Sequence, residues 1–392
     1  MNKLTVNENK QNNTLQNRAR LSRARHRAVL TTGLVCMILL SFMAADLFKG
    51  DRVFSDTENR LLAQKPELSR GSVLDGSFME KYDSYVTDQF VGREKWIGIK
   101  TRADIAMQRR EVNGVYLGKD NYLIEQHLQA DYPDELVERK LALLKNLAER
   151  WDAKVMLVPT ADNILTDKLP AYAEYYDQRT LLDAVKEQVG EERYIDVYGT
   201  LWEHRGEEIY YRTDHHWTSY GAYLGYQEWL ASTEATRMIY KAETKTVSEN
   251  FLGTLHSKIN LPVMPDTIEY FLVTEMHPVQ LTYDFQTKSD SFYEESYLET
   301  KNQYGFFMDD NHAFIEIDTG CHNGKTLFII KDSYANCMIP LLSLHYEKIY
   351  VVDLRYMNGK LFPFMENYEP EDGMDVLVLY NCVHFLEEFN YW

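Results

Sequence analysis

Leu327-Phe328-Ile329-Ile330-Lys331-Asp332-Ser333-Tyr334-Ala335-Asn336 is the stretch on which the fold reading turns. Four consecutive apolar residues suit a short strand covered on both faces. The polar Lys331-Asp332-Ser333 ends that strand in a tight turn. A helix is expected from there through Leu344, kinked or restarted at Pro340, and Ile349-Tyr350-Val351-Val352 forms the next strand. Strand, turn, helix and strand is the repeating unit of a parallel α/β sheet, in which ligands bind outside the carboxyl ends of strands. Ser333 falls at such an end. Free N–H groups at the start of a following helix stabilise the oxyanion formed when a serine attacks an ester. Asp332 and Ser333 equally suit a plain helix cap, so this stretch alone does not define a nucleophile.

The pattern extends in both directions. Leu136 to Trp151 has amphipathic helical spacing, and Val155-Met156-Leu157-Val158 is another buried strand. Thr180 to Val189 reads as helix, Tyr194 to Tyr198 as strand, and Val376-Leu377-Val378-Leu379 as a last covered strand. Upstream, Phe78 to Arg110 reads as one helical region. Val115-Tyr116-Leu117 and Tyr122-Leu123-Ile124 flank the turn residues Lys119-Asp120-Asn121. Residues 245–305 are polar and aromatic without a period, an insertion at the sheet's edge. Its tyrosines, from Tyr270 to Tyr283 and Tyr293 to Tyr304, suit either a sugar-stacking wall or packed interior. The fold class expected is α/β with a mostly parallel sheet, in one domain covering 76–392.

The first 27 residues carry seven basic side chains against the single acid Glu8, while the whole chain stands at −18. The remainder is therefore strongly acidic, which repels phosphate backbones and argues against nucleic-acid binding. Ala28 to Ala45 is an uncharged run of 18 residues, just enough for a helix to cross a bilayer core. The basic cluster places residues 1–27 in the cytoplasm and everything after the anchor outside, with 46–75 as a polar linker. A cleaved signal peptide is the competing reading. The polar residues 1–20 have a disordered composition. Cys36 lies in the apolar run, leaving three cysteines without C-x-x-C spacing, so neither a disulfide framework nor a structural metal is expected.

The second stretch that carries chemistry is Thr213-Asp214-His215-His216-Trp217, before a helical run that Thr218 or Ser219 would cap. In extended backbone Asp214 and His216 project to one side and His215 to the other. A carboxylate beside an imidazole fixes its tautomer and stabilises the imidazolium formed in proton transfer. Paired histidines also occur as polar surface or satisfied core, and Asp-x-His spacing by itself is weak. His-x-His and His-x-x-x-His spacings, which zinc would want, are absent nearby. Together the two stretches supply a nucleophile (Ser333), a base (His216) and an orienting acid (Asp214). The chain has no G-x-S-x-G elbow, Walker A loop or G-x-G-x-x-G.

Asp214-His215-His216-Trp217 with Lys331-Asp332-Ser333-Tyr334 resembles the DHHW family, which is similar to the SGNH-hydrolase-like acetyltransferases of alginate O-acetylation, AlgX and AlgJ. Glu58-Asn59-Arg60, Asp88-Gln89-Phe90-Val91-Gly92-Arg93, Gly114 to Gly118 and Val351 to Tyr356 fit as well, so the likeness runs from about residue 53 to the C-terminus. It implies a three-layer SGNH-like α/β/α fold in which Asp and His precede Ser. It also implies a polysaccharide O-acetyltransferase working through an acyl-serine, with an O-acetylesterase or a non-catalytic carbohydrate-binding scaffold as the alternatives. It assigns Asp214, His216 and Ser333 as the triad. Asn311, Arg355, Trp217 and Tyr334 are assigned to the oxyanion hole or the substrate. Ile339 stands where a nearby tyrosine would take part, so no tyrosine is carried over. No soluble cofactor is implied. The partners implied are a polysaccharide acceptor and a multi-pass MBOAT protein that passes the acyl group across the membrane.

Overall fold

The computed structural model describes residues 2–55, 60–233, 242–273, 277–370 and 373–391. The chain divides into two compact units, residues 1–55 with 60–96, and residues 56–59 with 97–392.

In the first unit, α1 (Asn2–Phe48) continues through the polar arm that composition left unstructured; no proline interrupts it. Within it, Ser22–Asp46 is long and apolar enough to cross a membrane, with none of it buried in the protein. The short pair β1 (Phe54–Ser55) and β2 (Arg60–Leu61) follows, then α2 (Arg70–Leu74) and α3 (Ser77–Gln89). Asp88 and Gln89 are buried and hold the preceding loop: Ala63 N–H donates to Asp88 at 2.8 Å, and Arg52 N–H to Gln89 at 2.9 Å. Glu58 and Asn59 lie outside the described residues. The single helix expected over 78–110 is two, α3 and α4 (Arg93–Ala106). The chain turns between them at Gly92, whose φ of +69° suits glycine.

The second unit takes in α4 from Ile97 onward and continues with the small antiparallel sheet β3 (Glu111–Val112), β4 (Val115–Leu117) and β5 (Leu123–Glu125). Then come α5 (Asp134–Trp151), β6 (Lys154–Val158), α6 (Ala161–Ile164), α7 (Gln178–Val189) and α8 (Tyr198–Glu203). The strand expected at 194–198 is reduced to one bridge between Tyr194 and Val155. Asp196 accepts the Tyr198 N–H at 2.9 Å and starts α8 instead. After α9 (Ser219–Ser232) come the twisted pair β7 (Ala242–Phe251) and β8 (Asp266–Val273), with α10 (Thr254–Ile259) between them. The remaining elements are β9 (Gln280–Tyr283), β10 (Thr287–Ser289), β11 (Phe314–Asp318), β12 (Thr326–Lys331), α11 (Ile339–Leu342), β13 (Lys348–Asp353), α12 (Leu361–Glu366), β14 (Asp375–Asn381) and α13 (Cys382–Glu388).

The main sheet has seven strands in the order β10-β9-β11-β13-β12-β14-β6. The four strands β13, β12, β14 and β6 are parallel, whereas β10, β9 and β11 run antiparallel at the other edge. The sheet is mixed, which corrects the expectation of a mostly parallel one. The cause is local: β9 and β10 are joined by a tight hairpin with Asp284 and Phe285 at φ of 46° and 64°, a connection only antiparallel strands permit. Both faces are covered. Met156, Leu327, Ile329, Leu377 and Leu379 face one apolar core, and Val155, Leu157, Phe328, Ile330, Val376 and Val378 face the other. The alternation within each strand explains why these runs read as uninterrupted apolar sequence.

Residues 245–305 are more than an appended insertion. They supply β9 and β10 to the sheet, and Phe251, Ile268 and Phe292 to its core. The tyrosines expected as a wall pack on each other, Tyr270 on Tyr293 at 4.4 Å and Tyr293 on Phe306 at 5.0 Å.

Two helical glycines separate packing from propensity. Alanine in a helix is ordinarily favoured over glycine by about 0.5–1 kcal/mol. A Cβ at Gly221 in α9 would overlap the carbonyl oxygen of Ile209, while one at Gly199 in α8 meets nothing within 4 Å. Overpacking costs about 1–3 kcal/mol, so Gly221→Ala should lower the thermal midpoint and Gly199→Ala should hold or raise it. Thermal unfolding of the two variants checks the order.

Candidate functional site

The site is made where two distant turns meet. The first turn is closed by a bridge between Tyr210 and Trp217, and Thr218 caps α9 by accepting the Gly221 N–H at 3.2 Å. Residues 212–216 between them are bends rather than extended strand. His215 therefore does not point away: its ring lies 3.9 Å from that of His216, centroid to centroid. The second turn follows β12. Asp332 caps a 3₁₀ turn, Ser333–Cys337, by accepting the Tyr334 N–H at 2.9 Å, so the helix expected to run on through Leu344 is broken into that turn and the short α11.

His216 Nδ1 is 2.5 Å from Asp214 Oδ1, and His216 Nε2 is 2.7 Å from Ser333 Oγ. By donor accounting Nδ1–H donates to the carboxylate, leaving Nε2 to accept from the serine hydroxyl. All three side chains are buried, Ser333 being 6% exposed. The other Asp214 oxygen accepts from the Thr254 N–H at 2.8 Å and its hydroxyl at 3.1 Å. Burial alone would raise the Asp214 pKa. The imidazoles of His215 and His216 and these hydrogen bonds more than offset it and hold the carboxyl well below its usual range. His215 Nδ1 meets the Thr254 hydroxyl at 2.7 Å; that hydroxyl donates to Asp214, so it accepts here. Burial, then the neighbouring His216, push the His215 pKa down to about 3, so its imidazole is neutral at pH 7.

Trp217 and Tyr334, expected at the substrate, are fully buried and join the two turns, and Tyr334 also lines a cleft adjoining the one beside Ser333. The Trp217 indole N–H donates to the Tyr334 carbonyl at 2.8 Å, and the Tyr334 hydroxyl donates to the carbonyl of His215. Asn311 and Arg355 do reach the cleft beside Ser333, whose volume is ≈ 210 Å³. Asn311 donates to Asp310 at 2.8 Å and accepts from Lys331 at 3.1 Å and Arg355 at 3.3 Å. Arg355 forks onto Asp353, with Nε at 2.9 Å from Oδ1 and Nη2 at 2.6 Å from Oδ2.

Five contributors were not found from sequence. Gly253 and Thr254 hold Asp214, and a Cβ at Gly253 would overlap the Asp214 side chain. Tyr304 stacks on the His216 ring at 3.8 Å with an interplanar angle of 10°. Lys301 lines the cleft, and burial brings its pKa down to about 8. His384 lines it too, with Nδ1 2.9 Å from Asp332 Oδ2. His384 had a legible signal: β14 lies parallel beside β12 with Leu379 opposite Lys331, so residues just beyond β14 belong at the same edge as Ser333. Gly253, Thr254, Lys301 and Tyr304 lie in the aperiodic 245–305 stretch, where spacing carries no such signal.

Asp214, His215 and His216 bring potential metal-ligand atoms within 4.8 Å of one another. Both Asp214 oxygens, both His216 nitrogens and His215 Nδ1 already have hydrogen-bond partners. The set matches a proton relay better than a coordination sphere.

The fold and site describe a mixed α/β protein with a buried serine–histidine–aspartate arrangement at the carboxyl edge of its parallel strands. The chain belongs to the DHHW family, whose model, described as DHHW protein, matches residues 118–352. A DHHW family protein from Eubacterium siraeum is 25% identical, with a TM-score of 0.58 over 70% of this chain and 93% of that one. Bacillus cereus PatB1, solved with a sulfonyl adduct, is 19% identical, with a TM-score of 0.56 over 70% of this chain and 99% of that one. The O-acetyltransferase domain of Pseudomonas putida AlgJ is 14% identical, with a TM-score of 0.43 over 71% and 94%. No curated protein matches the chain.

His215 gives a pH test. Its ordinary pKa is 6.5, against about 3 when folded. As pH falls between those values the unfolded chain binds a proton that the folded chain does not, so stability drops by up to about 1.4 kcal/mol per pH unit. His215→Gln should flatten that part of the stability profile, measured by denaturant unfolding from pH 7 to 4.

Proposed function

We propose that the chain is an SGNH-hydrolase-like serine O-acetyltransferase that modifies an extracytoplasmic polysaccharide. The observation that carries the reading is His216 bridging Asp214 and Ser333 at 2.5 and 2.7 Å beside an open cleft. His216 Nε2 takes the Ser333 proton as Oγ attacks the acyl carbonyl, and the imidazolium then protonates the leaving group. Asp214 keeps the imidazole in the tautomer that leaves Nε2 free and stabilises its charged form. The Ser333 N–H, for which no acceptor is found among the described residues, and the Asn311 amide are the donors to the tetrahedral oxyanion. A sugar hydroxyl then attacks the acyl-serine, with His216 taking its proton.

Arg355 and Lys331 contribute indirectly: both are paired with Asp353 and hold Asn311 from behind. The apolar part of α1 anchors the catalytic unit with the basic arm in the cytoplasm, as the positive-inside rule orients such a segment. The acyl group reaches the outer side through a multi-pass MBOAT partner. Tests of this reading use the full-length protein in detergent.

The sulfonyl adduct on PatB1 suggests the probe, since sulfonyl fluorides react with activated hydroxyls. A sulfonyl fluoride should label the peptide containing Ser333, and p-nitrophenyl acetate should give a burst of one acetyl group on the same serine. Ser333→Ala should abolish both; a burst that persists there sinks the assignment. Asp214→Asn should slow acylation by about three to four orders of magnitude. Gly253→Ala should slow it as well, by displacing Asp214. With an oligosaccharide present, acetate on sugar marks a transferase and free acetate an esterase. Polymer binding without acylation marks a scaffold.

A further inference from the structure

A second cleft, of ≈ 210 Å³, adjoins the first and shares His215 and His384 as its wall. It lies over the carboxyl ends of β14 and β6, which run side by side with Asn381 opposite Val158. Thr160 and Asp162 follow β6 into it, Asn381 ends β14 there and His384 follows. Two buried histidine–carboxylate pairs reach it. His127 Nδ1 is 3.0 Å from Asp162 Oδ2, and His384 Nδ1 is 2.9 Å from Asp332 Oδ2. His127 Nε2 lies 3.9 Å from Glu125 Oε2, whereas His384 Nε2 has no partner among the described residues and is left to face a ligand or solvent.

The walls are mixed: charged and polar side chains stand beside Ala161, Leu255, Val383 and the rings of Tyr132 and Tyr334. Glu125, Asp131, Asp162 and Glu387 contribute four carboxyl groups; the imidazoles are those of His127, His215 and His384. Burial would lower the pKa of His127 and His384, but their carboxylate partners more than offset it and raise both. Burial would raise the Glu125 pKa, but Lys258 and the nearby imidazoles bring it down to about 2. Carboxylates accept from hydroxyls, and imidazole ring nitrogens donate or accept according to tautomer, so the cleft offers both partners to a ring bearing hydroxyls on neighbouring carbons.

We propose that this second cleft is the acceptor subsite, and that it takes a neutral or amino-bearing sugar ring while excluding uronate and phosphodiester units. The inference rests on the acyl-transfer reading above and names its substrate class. The ring sits past the His215–His384 wall and sends one hydroxyl toward His216. That oxygen bonds to the acyl carbon, His216 takes its proton, the acyl–Oγ bond breaks, and Ser333 recovers the proton. Exclusion of anions follows from charge: the lining carboxylates outnumber the imidazoles, and His215 is neutral.

The test uses full-length protein in detergent with p-nitrophenyl acetate as donor. Three acceptors of equal length are compared: a cello-oligosaccharide, a glucosamine oligomer and an oligogalacturonate. Acetylated product from either of the first two should exceed that from the uronate by about tenfold or more. Glu387→Lys and Glu125→Gln should each raise the half-saturating concentration of the preferred acceptor about tenfold, and Glu387→Lys should narrow its lead over the uronate. Equal or better transfer to the uronate overturns the proposal, and so does unchanged half-saturation in both variants. Failure of the parent reading looks different, because the wild-type protein would then show no acyl-Ser333 burst. In that event saturation-transfer NMR on Ser333→Ala still decides the subsite. Contact to the cello- or glucosamine oligomer that Glu387→Lys weakens supports it, and binding of the uronate alone refutes it.

Discussion

The site depends on a reciprocal pair of hydrogen bonds between two buried aromatic residues and the backbones of two turns. Trp217 donates to the carbonyl of Tyr334, and Tyr334 donates to the carbonyl of His215. These residues are 117 and 119 positions apart, so ordinary chain connectivity does nothing to bring them together. Both rings are fully buried, where an unpaired indole or phenol would cost about 1–3 kcal/mol. That cost makes the pairing specific: a turn displaced by one residue would leave two polar groups orphaned. With both bonds made, His216 and Ser333 meet at 2.7 Å. Gly225 lets α9 approach this joint, because a Cβ there would run into the far edge of the Trp217 ring.

A buried carboxylate is the costly component of such a site, and the structure shows how the cost is met. Asp214 is 3% exposed and accepts from the His216 ring, the His216 N–H, the Thr254 N–H and the Thr254 hydroxyl. Four donors on two oxygens leave no unmet demand, and they leave the carboxylate no freedom to rotate. Thr254 also fixes His215, so one hydroxyl orders both histidines. Tyr304 closes the opposite side by stacking on His216 and donating to the Ser333 carbonyl at 3.2 Å. Behind Ser333, the fully buried Lys331 reaches Asp353 at 3.4 Å, and Arg355 holds the same carboxylate. A lone lysine there would be neutral or disruptive; paired, it anchors Asn311 at the cleft wall.

What was legible from the sequence follows the physics of periodicity. The strands at 154–158, 326–331, 348–353 and 375–381 are covered on both faces, and this alone makes an uninterrupted apolar run. Ser333 was legible because it sits where such a run stops, and Asp214 and His216 because a carboxylate and an imidazole stand two residues apart. The antiparallel edge was not, since β9 and β10 are only four and three residues long and the partner strand β11 lies far along the chain. Trp217 was placed in the right neighbourhood but is spent on joining the two turns, whereas Tyr334 joins them and also lines the second cleft. A motif shows that residues belong together, whereas burial decides whether they face a ligand or each other. Thr254 and Tyr304 act through single contacts made by irregular backbone, which no repeating spacing announces.

The parallel half of the sheet accounts for the remaining asymmetry. From β12 the chain crosses to β13 on one side, and later enters β14 on the other, so connections diverge at the end of β12 and open a crevice there. Ser333 stands in that crevice. Each neighbouring parallel strand ends at the same level and adds its own polar residues: Arg355 after β13, Asn381 at the end of β14 and His384 beyond it, Thr160 and Asp162 after β6. The antiparallel edge cannot extend this row, because alternate strands there end at opposite sides. It supplies packing, and the nearby β7–β8 segment supplies the loop that carries Gly253 and Thr254. A site built along a row of strand ends has length as well as depth. Under the proposed reading, that length suits a polymer acceptor better than a small diffusible one.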